Sequence, residues 1–115
     1  MQVTIYHNPR CSKSREALER IRAHGIEPEI IEYLQAPPTE DELRTILAML
    51  GKAAIDLVRR KESEFAAAGL DSHSSEEQIL RAMNDYPILI ERPIVVRDGR
   101  AVVGRPPEAV ETLLG

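Results

Sequence analysis

The segment from His7 to Arg15 constrains the fold more than any other part of the chain, and it contains the only cysteine, Cys11. The alternating segment 3–6 before it predicts a β-strand, and the periodic segment 16–21 after it predicts an α-helix. Cys11 is therefore expected in a strand-to-helix turn. There, unpaired backbone N–H groups and the helix dipole favour an anion.

The charge around Cys11 favours a reactive thiolate. Arg10, Lys13 and Arg15 add positive charge, and a nearby cation favours the thiolate over the thiol. The alternative is an inert, buried thiol that acts as a small hydrophobe. The neighbours of Cys11 are polar and basic, which favours the reactive form. Because a single cysteine cannot form an internal disulfide, an oxidised or modified Cys11 must be resolved by a thiol from another molecule.

Composition indicates an ordinary globular protein. With 115 residues, of which 43% are hydrophobic and 30% charged, we expect one domain over residues 1–115. The net charge of -4 argues against non-specific binding of nucleic acid. No apolar run approaches the roughly 18 residues of a membrane helix, and no signal peptide precedes the first strand. We therefore expect a cytoplasmic protein that does not bind membranes, and the lone cysteine agrees with a reducing compartment.

The first third of the chain predicts a right-handed βαβ unit. A strand at about 3–6, a helix from Ser12 to His24 and a strand at 29–34 have the spacing of two parallel strands joined by a helix. The middle of the chain, about 37–85, reads as helical. It contains predicted capping boxes at Thr39-Glu42 and Ser74-Glu77.

The end of the chain predicts a hairpin and a helix. Strands at 94–96 and 101–103 flank Asp98-Gly99, a strong two-residue turn signal. Pro106 is predicted to open the last helix as its first residue. The whole order predicts an α/β fold with a mixed four-stranded sheet, flanking helices and a helical insertion.

This order of elements, with a reactive cysteine after the first strand, resembles the thioredoxin fold. The segment from Tyr6 to Arg15 is similar to the active-site loop of the glutathione- and glutaredoxin-coupled arsenate reductases. The segments Glu91–Val96, Gly104–Pro106 and Leu57–Lys61 also match segments of that family. The resemblance runs from end to end and is closest to the short, chromosomally encoded members.

The resemblance implies a mechanism. The Cys11 thiolate attacks arsenate and forms a covalent thiol–arsenate adduct, glutathione attacks the adduct, and glutaredoxin reduces the glutathionylated species as arsenite leaves. No bound metal, flavin or nucleotide is implied, and glutathione is a co-substrate. We expect a monomer whose partners are arsenate, glutathione and glutaredoxin.

The resemblance also implies which arginines hold the substrate. Arg59, Arg92 and Arg105 match the three arginines that the family uses to grip arsenate and its adduct. Guanidinium groups suit a tetrahedral oxyanion because they present paired donors and stay charged. The residues alone would leave each as a solvated surface arginine, and Arg60 adjoins Arg59. Pro93 matches the cis-proline that the fold places opposite the cysteine.

Two further residues have alternative interpretations. The family implies that His7 helps to stabilise the thiolate, whereas a histidine here could instead tie the turn to a backbone carbonyl. Ser14 stands where dithiol members of the fold have a resolving cysteine. Its hydroxyl could donate to the thiolate, or it could cap the first turn of the helix. Asn8 is expected to shape the turn.

Other functions for a cysteine in this position remain open. A redox-sensing protein of the same fold that binds RNA polymerase usually carries Cys-x-x-Cys, whereas Ser14 stands at the second position. A monothiol glutaredoxin-like protein is the other alternative. A phosphatase-type reductase needs an arginine six positions after the cysteine, where this chain has Ala17. That class is excluded.

Overall fold

The structure, a computed structural model, describes residues 2–115, which cluster into two compact units. The first unit consists of residues 2–36 and 92–115, and the second of residues 37–91. The predicted helical insertion at about 37–85 falls within the second unit. The expectation that the chain acts as one domain stays a prediction.

A mixed four-stranded sheet forms the first unit and confirms the predicted α/β class. Its strands are β1 (Val3–His7), β2 (Glu29–Glu32), β3 (Ile94–Arg97) and β4 (Arg100–Val103), in the order β2-β1-β3-β4. β1 pairs in parallel with β2 and antiparallel with β3, and β3 pairs antiparallel with β4. β1 is therefore hydrogen-bonded along both edges.

The helices follow the predicted order, with short 3₁₀ turns between some of them. The 3₁₀ turns cover Pro87–Leu89 and Pro107–Val110. The α-helices are α1 (Ser12–Ala23), α2 (Glu40–Leu50), α3 (Ala54–Leu57), α4 (Ser63–Ala67), α5 (Glu76–Asp85) and α6 (Glu111–Leu114).

In the core of the first unit, side chains of α1 and of the C-terminal turns pack against the sheet in one hydrophobic cluster. Burying such aliphatic side chains contributes about 1.5–3 kcal/mol each. Because α1 is held along its apolar stripe, the position of its first turn is held as well. The cluster consists of Val3, Ile5, Ala17, Leu18, Ile21, Val95, Val110, Leu113 and Leu114.

Two local predictions are confirmed. Thr39 and Glu42 form the reciprocal capping box at the start of α2, and α2 ends at Gly51 in a left-handed conformation. Asp98 and Gly99 both have positive φ, 54° and 74°, as a two-residue turn between antiparallel strands requires.

Several predicted boundaries differ from the observed ones by one or two residues, and the strand predicted at 29–34 ends at Glu32. Two further elements begin one residue later than predicted. The capping box of α5 uses Ser75 and Gln78, because the Ser74 hydroxyl instead accepts the N–H of Asp71 at 2.9 Å. Pro106 is an extended residue before the C-terminal turns, and Pro107 takes their first position. In both cases the adjacent residue satisfies the same sequence pattern.

The predicted cis-proline is confirmed, and a second one accompanies it. The Arg92-Pro93 and Arg105-Pro106 peptide bonds are both cis.

The N–H of Gly104 donates to the Pro93 carbonyl at 2.8 Å. A Cβ at position 104 would lie 2.8 Å from Pro93 Cγ and 3.2 Å from Val110 Cγ1. Any larger residue at position 104 therefore requires Pro93, Val110 or the backbone to shift.

We expect Gly104→Ala to destabilise the protein by about 1–3 kcal/mol, the usual cost of overpacking. The lower entropy of the unfolded alanine chain offsets only about 0.4–1 kcal/mol of this. Urea unfolding measures the difference. The control is Gly115→Ala, where the nearest atom to the new Cβ would be 3.9 Å away. Equal unfolding free energies for the two variants would show that the contact with Pro93 does not constrain the chain.

Candidate active site

Cys11 is the residue that precedes the first turn of α1, as predicted. Its backbone is extended, its carbonyl accepts the N–H of Arg15 at 3.0 Å, and its side chain makes no capping hydrogen bond. An oxygen acceptor from Ser, Thr, Asp or Asn usually occupies this position. The first turn contains no acidic residue, so no carboxylate competes for its amides. A partly exposed sulfur here meets the conditions that favour an anion.

Asn8 holds the loop before the helix. It is a buried polar residue whose backbone carbonyl accepts the N–H of Cys11 and whose Oδ1 accepts the N–H of Arg10, both at 3.0 Å. Its own N–H donates to Ser14 Oγ at 3.0 Å. Three hydrogen bonds from one residue therefore fix the path of the chain into α1, as expected for a residue that shapes the turn.

His7 and Ser14 meet directly beneath this loop. Both side chains are buried, and His7 Nδ1 lies 2.6 Å from Ser14 Oγ. The alternative contact of His7 with a backbone carbonyl is not seen among residues 2–115, where the imidazole contacts the Ser14 side chain. Within residues 2–115 no hydrogen bond reaches the Cys11 sulfur. The effect of either residue on the thiolate stays a prediction.

Burial lowers the pKa of His7 below its usual value of 6.5, and Arg22 and Arg15 lower it further. Glu32 opposes this shift and raises the pKa. Desolvation is the largest cause, so the imidazole is mainly neutral at pH 7. A neutral imidazole provides no full positive charge for the thiolate, and its hydrogen-bond contact is with Ser14.

The basic residues around Cys11 have different surroundings. Arg15 donates from Nη1 to the Pro9 carbonyl at 2.9 Å and so helps to hold the loop. Arg10 and Lys13 are exposed, and neither forms an ion pair with another described residue. Their charge remains available to an anion at the start of α1.

Strand register brings the cis-proline segment to the loop. Tyr6 pairs with Ile94 in the antiparallel ladder of β1 and β3. This is the first pair of β3, so Arg92 and Pro93, which directly precede Ile94, enter the strand next to the C-terminal end of β1. The sheet thus places Arg92 at the end of β1 from which the chain enters the cysteine turn.

Two nitrogen atoms of the Arg92 side chain have no hydrogen-bond acceptor among residues 2–115. These atoms, Nε and Nη1, are inaccessible to solvent. A buried charged donor without a partner costs free energy, which an anion at this position would recover. Arg105 Nη1 donates to the Arg92 carbonyl at 3.4 Å, so the two predicted arginines lie close together.

Arg59 belongs to the second unit and has carboxylates as neighbours. Its Nη1 lies 2.6 Å from Glu62 Oε1, and its Nε lies 3.9 Å from Glu91 Oε1. The following residue, Arg60, is exposed. Neither Glu62 nor Glu91 was predicted from the sequence, although the spacing of three residues from Arg59 to Glu62 is a signal that could have revealed the first ion pair.

Cavity volume does not identify this site. A cavity of about 550 Å³ in the second unit is lined by residues of α4, α5 and the segments next to them, among them Leu70, Gln78, Arg81 and Tyr86. None of the predicted site residues lines it. Within residues 2–115 no cluster of His, Cys, Asp and Glu could hold a metal ion, and no helix is long and apolar enough to cross a membrane.

Comparison with known proteins gives full-length matches. The model of the ArsC family matches residues 6–113. The uncharacterized protein YfgD of Escherichia coli K12 is 50% identical, over 99% of this chain and 98% of that protein. The arsenate reductase of Neisseria meningitidis serogroup A is 44% identical over 98% of each chain. The solved structure of an arsenate reductase from Vibrio cholerae is 45% identical over 97% of each chain, with a TM-score of 0.93, and the predicted thioredoxin-like fold is confirmed.

We expect the stability of the protein to fall as the pH falls below about 6.5, in part because of His7. Above that pH the imidazole is neutral in both states. Below it, the unfolded chain takes up the proton first, because the folded pKa is lower. His7→Gln removes this contribution, so its unfolding free energy should depend less on pH between about 7.5 and 5.

Urea unfolding across this pH range measures the effect. The matched control is His73→Gln, which removes an exposed histidine in a loop. If the wild type and His7→Gln lose stability in parallel as the pH falls, burial does not disfavour the charged form of His7.

Proposed function

The chain belongs to the ArsC family, and from this premise we propose that it is an arsenate reductase with Cys11 as its nucleophile. The observation that carries the proposal is the pair of buried, unpartnered donor atoms on Arg92, in the same unit as Cys11. Paired guanidinium donors suit a tetrahedral oxyanion. The helix start at Cys11 favours a thiolate and an anion beside it.

The first step is an exchange of ligands on arsenic. The Cys11 thiolate attacks As(V) and forms a sulfur–arsenic bond, while an oxygen of arsenate leaves as hydroxide and takes up a proton to become water. The charge on the remaining oxygens is then held by arginine donors, for which Arg92 and Arg105 are the candidates within the first unit. Such charge-assisted hydrogen bonds are worth about 1.5–3 kcal/mol each.

The second step needs thiols from outside the chain. Glutathione replaces a further oxygen on arsenic and forms a second sulfur–arsenic bond. A glutaredoxin thiolate then attacks the glutathione sulfur. A disulfide forms, and the electron pair of the broken sulfur–arsenic bond stays on arsenic, which becomes As(III). Hydrolysis of the Cys11–arsenic bond releases arsenite and regenerates the thiol.

The single cysteine supports this dependence on external thiols, because the chain has no second sulfur to close a disulfide. Since arsenic itself changes oxidation state, the proposed reaction uses glutathione as co-substrate and needs no resident cofactor. Glutathione and glutaredoxin keep thiols reduced in the cytosol, and we propose that compartment and a monomeric enzyme. The inclusion of Arg59 in the grip rests on the family resemblance.

A second candidate function is a redox-sensing or glutaredoxin-like thiol protein without arsenate activity. The ion pair of Arg59 with Glu62 favours it, because a guanidinium that already holds a carboxylate grips a second anion less well. In this alternative Cys11 would exchange with disulfides, and the arginines would only adjust its reactivity. The two functions differ in whether arginine variants affect arsenate turnover separately from thiol reactivity.

We expect Cys11→Ser to abolish arsenate-dependent NADPH consumption in an assay with glutathione reductase, glutathione and glutaredoxin. The hydroxyl is a far weaker nucleophile, and no other cysteine can replace the sulfur. Circular dichroism confirms that the variant is folded. Omission of glutathione should also stop turnover by the wild type. Repeated turnover with glutaredoxin alone would contradict the proposed role of glutathione.

We expect Arg92→Lys to reduce arsenate turnover by about 10- to 150-fold, because lysine keeps the charge but loses the paired donors. Alkylation of Cys11 by a small neutral reagent should change much less, since that reaction does not use the grip. The matched control is Arg100→Lys on β4, which replaces an exposed arginine.

The comparison of the two reactions separates the candidate functions. If turnover and alkylation fall together in Arg92→Lys, the arginine adjusts the reactivity of Cys11 and does not bind substrate. If neither falls, Arg92 takes no part in the reaction, and the redox-protein alternative is favoured.

A further inference from the structure

Arg59 lies where two segments of the second unit are joined by backbone hydrogen bonds. Its backbone N–H donates to the Leu89 carbonyl at 2.7 Å, and the N–H of Glu91 donates to the Leu57 carbonyl at 3.0 Å. An antiparallel bridge between Val58 and Ile90 completes this short pairing. In this antiparallel pairing Arg59 lies opposite Leu89 and Glu91 lies opposite Leu57, so Arg59 and Glu91 are diagonal neighbours across the bridge.

A turn brings a second carboxylate to the same guanidinium. The N–H of Glu62 lies 3.4 Å from the Arg59 carbonyl, and Glu62 precedes the first turn of α4. Its side chain makes no capping hydrogen bond with that turn. Instead Glu62 Oε1 lies 2.6 Å from Arg59 Nη1. The carboxylate thus contacts the arginine in preference to the nearby helix start.

Two carboxylates lie near different nitrogens of the Arg59 guanidinium. Glu62 Oε1 lies 2.6 Å from Nη1, and Glu91 Oε1 lies 3.9 Å from Nε. The Glu62 contact is close, whereas the Glu91 distance is too long for a direct hydrogen bond. One positive and two negative charges leave the cluster with a net negative charge.

The close contact is an ion pair without hydrogen-bond geometry. Arg59 Nη1 is inaccessible to solvent and lies close to the Glu62 carboxylate. Its N–H bonds are nevertheless not directed at the carboxylate oxygen as a hydrogen bond requires. The donor capacity of this buried nitrogen is therefore not fully used. An oxyanion aligned with the donor edge would make a better hydrogen bond than Glu62 does, but it must first displace the carboxylate.

We propose that Glu62 is a specificity-determining residue that competes with the substrate oxyanion for Arg59. This inference rests on the proposed function, because that function assigns Arg59 to the arsenate grip. An anion engages Arg59 only if it binds strongly enough to release Glu62, so weakly bound anions are rejected. The apparent affinity for arsenate is lowered by the fraction of molecules in which Glu62 holds the guanidinium.

The test compares Glu62→Gln with the wild type. Glutamine keeps the size of the side chain but removes the competing charge. We expect the KM for arsenate to fall by about three- to tenfold, with kcat changed by less than about twofold, as for a change in uniform binding. Calorimetry with inorganic phosphate, a tetrahedral anion that thiols do not reduce, should show a similar gain in affinity.

Two further variants make the comparison specific. Glu64→Gln removes the same charge from α4, but Glu64 contacts the hydroxyl of Ser63 and not Arg59. It should leave KM and phosphate affinity near those of the wild type. In the Arg59→Ala background, Glu62→Gln should have no further effect, because the competition passes through that guanidinium.

Each outcome has a defined meaning. Equal gains for Glu62→Gln and Glu64→Gln would reflect net charge alone and would overturn the proposal. A raised KM in Glu62→Gln, or a gain that persists with Arg59→Ala, would also overturn it. A gain in phosphate affinity specific to Glu62→Gln, without arsenate turnover in any variant, would support the competition and contradict the reductase function. The absence of anion binding in every variant would overturn both.

Discussion

The candidate site depends on the pairing of β1 along both of its edges. Parallel bonds to β2 and antiparallel bonds to β3 leave no freedom in where β1 ends, and its last residue is His7. The chain then turns through a loop held by Asn8 and enters α1 directly after Cys11. The same pairing brings Arg92 and Pro93 to this end of the strand. One ladder register therefore fixes both the nucleophile and a candidate oxyanion ligand.

Arg92 and Arg59, which are proposed to bind the substrate oxyanion, have different surroundings. Arg92 has buried donors without acceptors within residues 2–115, so a bound oxyanion would repay a cost that is already present. Arg59 holds a carboxylate at 2.6 Å, so a bound oxyanion must replace an existing contact. Under the proposed function, the surroundings of Arg92 would favour affinity for the oxyanion, and those of Arg59 would favour discrimination between anions.

Sequence patterns predicted the elements that depend on local chemistry. The alternation before Cys11, the capping box at Thr39 and the Asp98-Gly99 turn all specify their structure through adjacent residues. The boundaries at α5 and the last helix were wrong by one residue, because two neighbouring residues fit each pattern. The carboxylates around Arg59 were not predicted. Glu91 approaches Arg59 only through a bridge between segments distant in sequence, and local periodicity carries no information about such a contact.

The surroundings of Ser14 connect the two roles that the sequence left open for it. Its oxygen accepts the N–H of Asn8 and lies 2.6 Å from His7 Nδ1, and a hydroxyl has only one proton to donate. If His7 Nδ1 carries no proton, Ser14 donates to it and has nothing left for the Cys11 sulfur. If Nδ1 carries the proton, Ser14 accepts from both neighbours, and its own proton is free for a thiolate. Burial keeps His7 mainly neutral at pH 7, so the tautomer of this one imidazole decides whether Ser14 serves the loop alone or the nucleophile as well.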